Sequence, residues 1–180
     1  MKKIILTLTL TSLIVISPKA QSLYSTKSGS ITFFSKAPME DISAKTSEVE
    51  SKLAPANGQV VFTLLIQGFQ FPNQLMEDHF NENYMESSKY PKSTFKGAVT
   101  NIQEVNFTRE GKYPVKVKGS LTIHGVAKDV ETDGTIEIKD GKPIAKTTFN
   151  ILLKDYNIGG AMIGSKIASS IAITVDCKYE

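Results

Sequence analysis

The sequence predicts an all-β domain, a closed barrel of eight or nine antiparallel strands with one short amphipathic helix. Apolar and polar residues alternate along most of the chain after about residue 23, which is typical of strands with one buried face. Turn residues separate consecutive alternating segments, so we expect neighbouring strands to pair. The sequence contains no internal repeat or linker-like change of composition, and residues 23–180 are therefore expected to form one domain. Closure would remove the exposed edges of such a meander.

The clearest strand is predicted at residues 113–123, where the apolar residues share one face and polar residues alternate with them. The apolar members of that face are Tyr113, Val115, Val117, Leu121 and Ile123. The other predicted strands are 30–36, a weaker one at 42–53, 58–71, 145–153 and 167–179.

Three short segments carry turn signals between the strands. The Asp-Gly pair of KDGK (139–142) is a strong hairpin signal. REGK (109–112) is predicted to follow a strand that ends near Phe107, and APANG (54–58) is predicted to turn the chain before Gln59. The middle of the chain is therefore expected to be a meander of antiparallel strands.

Residues 73–91 interrupt the alternation. Met76, Phe80 and Tyr84 recur at a spacing of four, which places them on one face of a helix. Asn73 is suited to cap the amino end of that helix. We predict one short amphipathic helix in this segment.

The first 22 residues have the composition of a secretory signal peptide. Lys2 and Lys3 precede an apolar run at residues 4–16, and small residues follow as far as Ser22. The run is short for a transmembrane helix. We expect residues 1–22 to be removed, and the mature chain to be periplasmic or secreted and not to span a membrane.

Charge and cysteine content narrow the class of partner. Three of the 21 Lys and Arg residues and none of the 18 Asp and Glu residues lie in the predicted signal, so the mature chain would carry 18 of each sign. Since it has no basic stripe, we do not expect it to bind nucleic acid. Cys177 is the only cysteine, and it alternates with apolar residues like a small buried hydrophobe.

The two histidines make a weak case for catalysis. His79 lies in EDHF (77–80), where consecutive residues point in different directions on a helix, so a solvated or capping role is favoured over a metal site. His124 shares the polar face of its strand and is expected to point outward beside a turn at Gly125. The sequence contains no nucleophile elbow and no phosphate-binding loop, and IGGAMIGSK (158–166) is expected to be a mobile loop near the barrel's mouth. We predict no catalytic residue, metal or cofactor, and no enzyme.

The segment at residues 59–71 is apolar on both faces. A barrel strand with an apolar lumen on one side and a helix on the other would have this pattern, and so would a strand in the core of a β-sandwich. Either Val60, Phe62, Leu64 and Ile66 or the residues between them would face inward. A barrel of eight strands can be filled by side chains or hold one ligand, and periodicity leaves both open.

Two passages resemble the YceI-like, polyisoprenoid-binding family of bacterial periplasmic proteins. LMEDHFNENYMESSKYPKSTFKG (75–97) is similar to that family's helix segment, with an acid-His-Phe core followed by Tyr-Pro and the start of a strand. VKGSLTIHGVAKDVE (117–131) is similar to its strand-and-turn motif. FNILLKDYNIG (149–159) also agrees, and the resemblance covers most of residues 23–179.

The resemblance implies an eight-stranded, lipocalin-like barrel whose lumen holds an isoprenoid or another long-chain amphiphile, such as a quinone or a polyprenol, as carrier or store. For each residue expected to line that lumen, plain core packing is the alternative. These residues are Phe62, Leu64, Ile66, Met76, Phe80, Tyr84, Tyr113, Val115, Val117, Leu121, Ile123, Phe149, Ile151 and Leu153.

Two other functions stay open at this point. One is a barrel enzyme acting on a small amphiphile, which would need His79 or His124 to reach the lumen. The other is a structural or interaction protein whose barrel is filled by its own side chains. A homodimer is also left open.

Overall fold

Alternation of apolar and polar residues produces eight antiparallel strands that close into one barrel, as predicted. In this computed structural model, which describes residues 23–180, each strand pairs with the next along the chain and β8 pairs with β1. The predicted signal peptide, residues 1–22, lies outside the described residues. The strands are β1 (Tyr24–Lys36), β2 (Asp41–Leu53), β3 (Gln59–Leu65), β4 (Lys92–Val99), β5 (Gly111–Ile123), β6 (Val126–Lys139), β7 (Lys142–Leu152) and β8 (Ser170–Lys178).

The prediction of a strand that ends near Phe107 is wrong. β4 ends at Val99, and a 3₁₀ turn, Ile102–Glu104, follows it. The side chain of Asn101 explains the early end. Its Oδ1 accepts a hydrogen bond from the Lys116 backbone N–H at 2.8 Å, and its Nδ2 donates to the Pro114 carbonyl at 3.2 Å. The Asn101 amide therefore takes the positions on β5 that a longer β4 would have occupied.

Other strands also differ from the prediction in length or bounds. The weak strand at 42–53 is a full strand of 13 residues, and β1 begins at Tyr24 instead of residue 30. β3 ends at Leu65, where a 3₁₀ turn, Ile66–Gly68, changes the direction of the chain. β8 begins at Ser170, three residues after the predicted start.

The connections divide between two ends of the barrel. The turns at 54–58, 100–110 and 140–141 lie at one end, which we call the closed end. The other end, called the mouth, carries the connections at 37–40, 66–91, 124–125 and 153–169. The first, third, fifth and seventh connections along the chain lie at the mouth, because consecutive strands run in opposite directions.

The predicted helix lies at the mouth. Helix α1 spans Gln74–His79 and continues into one π-helical turn, Phe80–Tyr84. Asn73 caps it as predicted, since its Oδ1 accepts a hydrogen bond from the Met76 backbone N–H at 2.9 Å. Among residues 23–180, no helix is long and apolar enough to cross a bilayer.

The closed end is packed with side chains. Leu53, Val99 and Val115 are buried there. The hydroxyl of Tyr179, a fully buried residue, hydrogen-bonds to Ser51 Oγ at 2.8 Å, and burial raises the pKa of that phenol. These contacts close the barrel at this end.

Cys177 is fully buried, as its alternation predicted. Its thiol lies against Gly29, where the pairing of β1 with β2 shifts register and where an added Cβ would approach the Cys177 Sγ to 2.4 Å. Burial raises the pKa of this thiol to about 12.

Two hairpin turns have positive φ at both central residues, as two-residue turns of type I′ require. In the predicted Asp-Gly turn between β6 and β7, φ is 51° at Asp140 and 72° at Gly141. In the turn between β5 and β6, φ is 50° at His124 and 74° at Gly125.

Candidate functional site: an apolar cavity open at one end

The barrel encloses a cavity of about 490 Å³ that is lined by residues from all eight strands. Its deepest lining residues, among them Leu53, Ile136 and Tyr179, are buried at the closed end. Most of its exposed lining residues, among them Leu75 and Met162, belong to the mouth. The cavity is therefore a largely apolar chamber whose solvent-exposed lining lies mostly at the mouth, beside α1.

Thirteen of the fourteen predicted lumen residues line this cavity. They are Phe62, Leu64, Ile66, Met76, Phe80, Tyr84, Val115, Val117, Leu121, Ile123, Phe149, Ile151 and Leu153. The prediction for Tyr113 is wrong. Tyr113 lies near the closed end, where its hydroxyl donates a hydrogen bond to the Arg109 carbonyl at 2.9 Å, and that contact turns the ring towards the preceding turn.

The two apolar faces of residues 59–71 are now distinguished. Val60, Phe62, Leu64 and Ile66 line the cavity, and Val61 and Leu65 are exposed on the outside. The helix that could have covered that outer face lies at the mouth instead, because the 3₁₀ turn after β3 directs the chain across the barrel's end. The same turn changes the register, so that Phe69 and Phe71 also reach the cavity.

Four phenylalanines form an aromatic cluster beneath α1. The Phe80 ring centroid lies 5.4 Å from Phe33, 5.7 Å from Phe69 and 5.0 Å from Phe71. These separations are in the range where aromatic rings attract one another. The cluster fixes the helix over the barrel, and it forms the aromatic part of the cavity wall.

The sequence contained signals for several lining residues that were not predicted. Alternation in β1 and β8 places inward residues on one face of each strand, and the pattern could have been read as it was for β5. Phe69 and Phe71 had no such signal, because their position depends on the turn after β3. The apolar lining residues missed in these segments are Ile31, Phe33, Phe69, Phe71, Ile171, Ile173 and Val175.

The mouth combines polar and apolar side chains from three connections. Glu40, His79 and Lys166 line it and are exposed, so the ring of His79 is solvated as predicted. The predicted loop at 158–166 supplies part of the mouth and packs closely on the helical segment, since an added Cβ at Gly160 would lie 2.7 Å from the Tyr84 ring.

His124 follows the last residue of β5 and lies outside the lumen, as predicted, but its side chain is buried instead of exposed to solvent. The side chain is only 9% exposed and does not line the cavity. Its Nδ1 lies 3.2 Å from the Tyr156 carbonyl and its Nε2 lies 2.7 Å from Glu86 Oε2, while the Tyr90 ring covers one edge at 4.4 Å between centroids. Both ring nitrogens of His124 therefore lie within hydrogen-bonding distance of oxygen atoms from other segments of the chain.

His124 therefore joins two of the connections at the mouth, 66–91 and 153–169. Glu86 follows the helical segment, and Tyr156 belongs to the 3₁₀ turn Leu153–Tyr156 after β7. Glu86 has a φ of 43°, an uncommon conformation for a residue other than glycine. The tight turn at His124-Gly125 carries the ring to the place where these two segments meet.

Buried hydroxyls on the cavity wall are engaged in structural hydrogen bonds. Ser35 Oγ accepts from the Ala168 backbone N–H at 2.8 Å, and Ser93 Oγ donates to the Thr122 carbonyl at 2.8 Å. Within residues 23–180, no group of three His, Cys, Asp or Glu side chains is arranged to hold a metal ion. The arrangement suits enclosure of an apolar chain.

Comparison with known proteins gives one family and several similar folds. A family model described as the YceI-like domain matches residues 16–179. A polyisoprenoid-binding domain from Saccharophagus degradans, implicated in plant cell wall breakdown, is similar with a TM-score of 0.76 at 12% identity, over 88% of this chain and 97% of that chain.

Two further solved structures share the fold. BcnA of Burkholderia cenocepacia has a TM-score of 0.69 at 18% identity, over 84% of this chain and 96% of its own. The YceI protein of Campylobacter jejuni has a TM-score of 0.60 at 20% identity, over 81% of this chain and 88% of its own. No curated protein sequence matches this chain.

Proposed function

Because the chain belongs to the YceI-like domain family, we propose that it binds an isoprenoid or another long-chain amphiphilic lipid in the barrel cavity, as a carrier or store. The observation that carries the proposal is the largely apolar cavity inside the barrel, whose exposed lining residues lie mostly at the mouth. Its volume of about 490 Å³ is within the range of small-molecule sites. The description of the similar domain from Saccharophagus degradans as polyisoprenoid-binding supports the same class of ligand.

Burial of the ligand's tail would supply most of the binding free energy. Each methylene removed from water contributes about 0.8 kcal/mol before ordering costs. A contact between a head group and an exposed charge at the mouth contributes about 1 kcal/mol or less. The affinity should therefore depend on the cavity wall, and Glu40, His79 and Lys166 should adjust the preference between head groups.

The polarity of the chamber favours one orientation of the ligand. The floor around Leu53 and Ile136 is apolar, whereas charged side chains occur at the mouth. An amphiphile such as a quinone or a polyprenol would place its tail on the floor and its polar group at the mouth. Export to the periplasm, or secretion, is part of the same proposal and rests on the composition of residues 1–22.

We infer that the chain binds its ligand without transforming it. His79 is the one histidine on the cavity wall, and no hydrogen bond within residues 23–180 orients its ring towards the lumen. His79→Ala is expected to leave ligand uptake within about twofold of the unmodified chain, since exposed polar contacts contribute little. Loss of a measurable conversion of a bound amphiphile in this variant would instead support the enzyme alternative.

Native mass spectrometry tests binding directly. Residues 23–180, which form the barrel, are purified without detergent and are expected to carry an adduct that organic solvent removes and that added quinone or polyprenol restores. Ala145→Phe places a large ring in the lumen and should abolish uptake, and Thr148→Phe on the outer face of β7 is the matched control. Val130→Phe, also on the cavity wall, provides a second blocked variant if Ala145→Phe does not fold.

Two results would overturn the proposal. One is a homogeneous apo mass together with no uptake of either lipid class by a folded barrel. The other is equal uptake by the unmodified chain and by folded Ala145→Phe and Val130→Phe, because binding would then lie outside the cavity.

A further inference from the structure

Large exposed apolar side chains are concentrated around the mouth. Met39 is 70% exposed, Leu75 64%, Leu65 49% and Met162 46%. They come from the β1–β2 connection, the end of β3, helix α1 and the loop before β8. At the closed end, among residues 23–180, Leu23 is the comparable side chain. We call the four side chains at the mouth the apolar rim.

The apolar rim is continuous with the cavity wall. Leu75 and Met162 line the cavity and are also exposed outside it, whereas Met39 and Leu65 are exposed without lining it. An apolar chain leaving the chamber would therefore pass directly from the wall onto the rim. A surface that meets the mouth would receive the chain without exposing it to water.

The charges around the mouth are mixed. The segments 36–41, 65–92 and 153–169 contain five lysines and seven acidic residues. This balance offers no cationic surface that would attract anionic lipid head groups. Any contact made by this end should therefore depend on its apolar side chains and change little with salt.

We propose that the apolar rim docks the mouth on the surface of a neutral lipid bilayer, so that the barrel exchanges its ligand directly with the membrane. The inference goes beyond lipid binding in the cavity, and docking does not itself require an occupied cavity. Separate side chains ringed around an opening can each enter the boundary between head groups and acyl chains. The interaction is reversible. Four partly exposed side chains bury little more apolar surface in the membrane than one covalently attached lipid chain, and a single such chain binds membranes only reversibly.

Vesicle flotation tests the docking. Residues 23–180 are mixed with phosphatidylcholine vesicles, and in parallel with vesicles that also contain phosphatidylglycerol, at low and high salt. The barrel is expected to float with both kinds of vesicle, to a similar extent at both salt concentrations. The double variant Met39→Ser/Leu65→Ser should lower partitioning about tenfold or more, because it removes two of the rim's apolar side chains.

Three controls keep this result separate from ligand binding. Val61→Ser, on the exposed side wall, removes a comparable apolar side chain away from the mouth and should leave flotation unchanged. The Met39→Ser/Leu65→Ser variant should retain lipid uptake in solution, because neither residue lines the cavity. Ala145→Phe should float normally even though its cavity is blocked.

Several outcomes would overturn the docking proposal. The first is that the unmodified barrel does not float, and the second is that the double variant floats as well as the unmodified barrel. The third is that flotation needs anionic lipid and disappears at high salt. Self-association in size-exclusion chromatography that is lost in the double variant, without flotation, would assign the rim to a protein interface. Failed lipid uptake with normal flotation would contradict the function proposed for the cavity and leave the docking intact.

Discussion

Replacement of His124 by Asn separates two roles of the β5–β6 turn. Asn-Gly is a favoured pair for a two-residue turn with positive φ at both positions, so His124→Asn should keep or improve the turn itself. The shorter asparagine side chain cannot reach both the Tyr156 carbonyl and the Glu86 carboxylate. The variant therefore removes the contacts that join the two connections at the mouth and leaves the hairpin intact.

The expected loss follows from three contacts. The hydrogen bond to the Tyr156 carbonyl is buried and contributes about 1 kcal/mol. The contact with Glu86, whose side chain is about half exposed, contributes roughly 0.5 kcal/mol. The edge contact with Tyr90 adds about 0.5–1 kcal/mol. The more favourable Asn-Gly turn should restore about a few tenths of a kcal/mol of stability. The free energy of unfolding should therefore fall by about 2 kcal/mol.

Urea unfolding of residues 23–180 at neutral pH measures this difference, with a lower midpoint and an unchanged m value. Glu86→Gln is the matched control, because it keeps the size of the side chain and removes only its charge, and it should cost about 0.5 kcal/mol. If His124→Asn were as stable as the unmodified chain, or more stable, the turn alone would matter and the contacts with Glu86 and Tyr156 would not stabilise the barrel.

Three further predictions concern closely packed positions of the barrel. Because the pKa of the Cys177 thiol is raised to about 12, that thiol should resist a disulfide reagent in the folded barrel. The free energy of unfolding should fall by up to about 1.4 kcal/mol per pH unit above about pH 9, where only the thiol of the unfolded chain ionises. Cys177→Ala should reduce this slope, and an unchanged slope would contradict the assignment. Tyr179→Phe leaves Ser51 Oγ without its buried partner and should cost about 1–2 kcal/mol in urea unfolding, so an unaltered midpoint would contradict the role of this pair. Gly119→Ala should lower the free energy of unfolding by about 2 kcal/mol or more, because the added Cβ would lie 2.5 Å from the Lys96 carbonyl oxygen. A variant as stable as the unmodified chain would show that β4 and β5 can separate there.

The barrel and most of its cavity could be predicted from local patterns. Alternation along β5 and β7 determines which residues face inward, because successive side chains in a strand point to opposite sides. The N-cap at Asn73 and the Asp-Gly turn follow from chemistry within a few residues, and both predictions are confirmed. These features needed no knowledge of distant contacts.

The features that could not be predicted depend on residues far apart in the sequence. Tyr113 packs against the core without lining the cavity, and its hydroxyl bonds to the Arg109 carbonyl in the preceding turn, a contact that alternation does not encode. His124 is buried because Glu86 and Tyr156 meet over it, and these residues are 38 and 32 positions away. The early end of β4 depends on the Asn101 side chain occupying positions on β5.

The central claim is that the chamber holds the apolar chain of a lipid, and a crystal structure of residues 23–180 purified without detergent tests it most directly. The account predicts continuous electron density for one chain, running from the floor beside Ile136 to the mouth beside Leu75. The density should be lost after solvent extraction and should return when a quinone or polyprenol is added. A chamber occupied by water alone, or collapsed so that its own side chains fill it, in crystals grown with excess lipid would contradict the account.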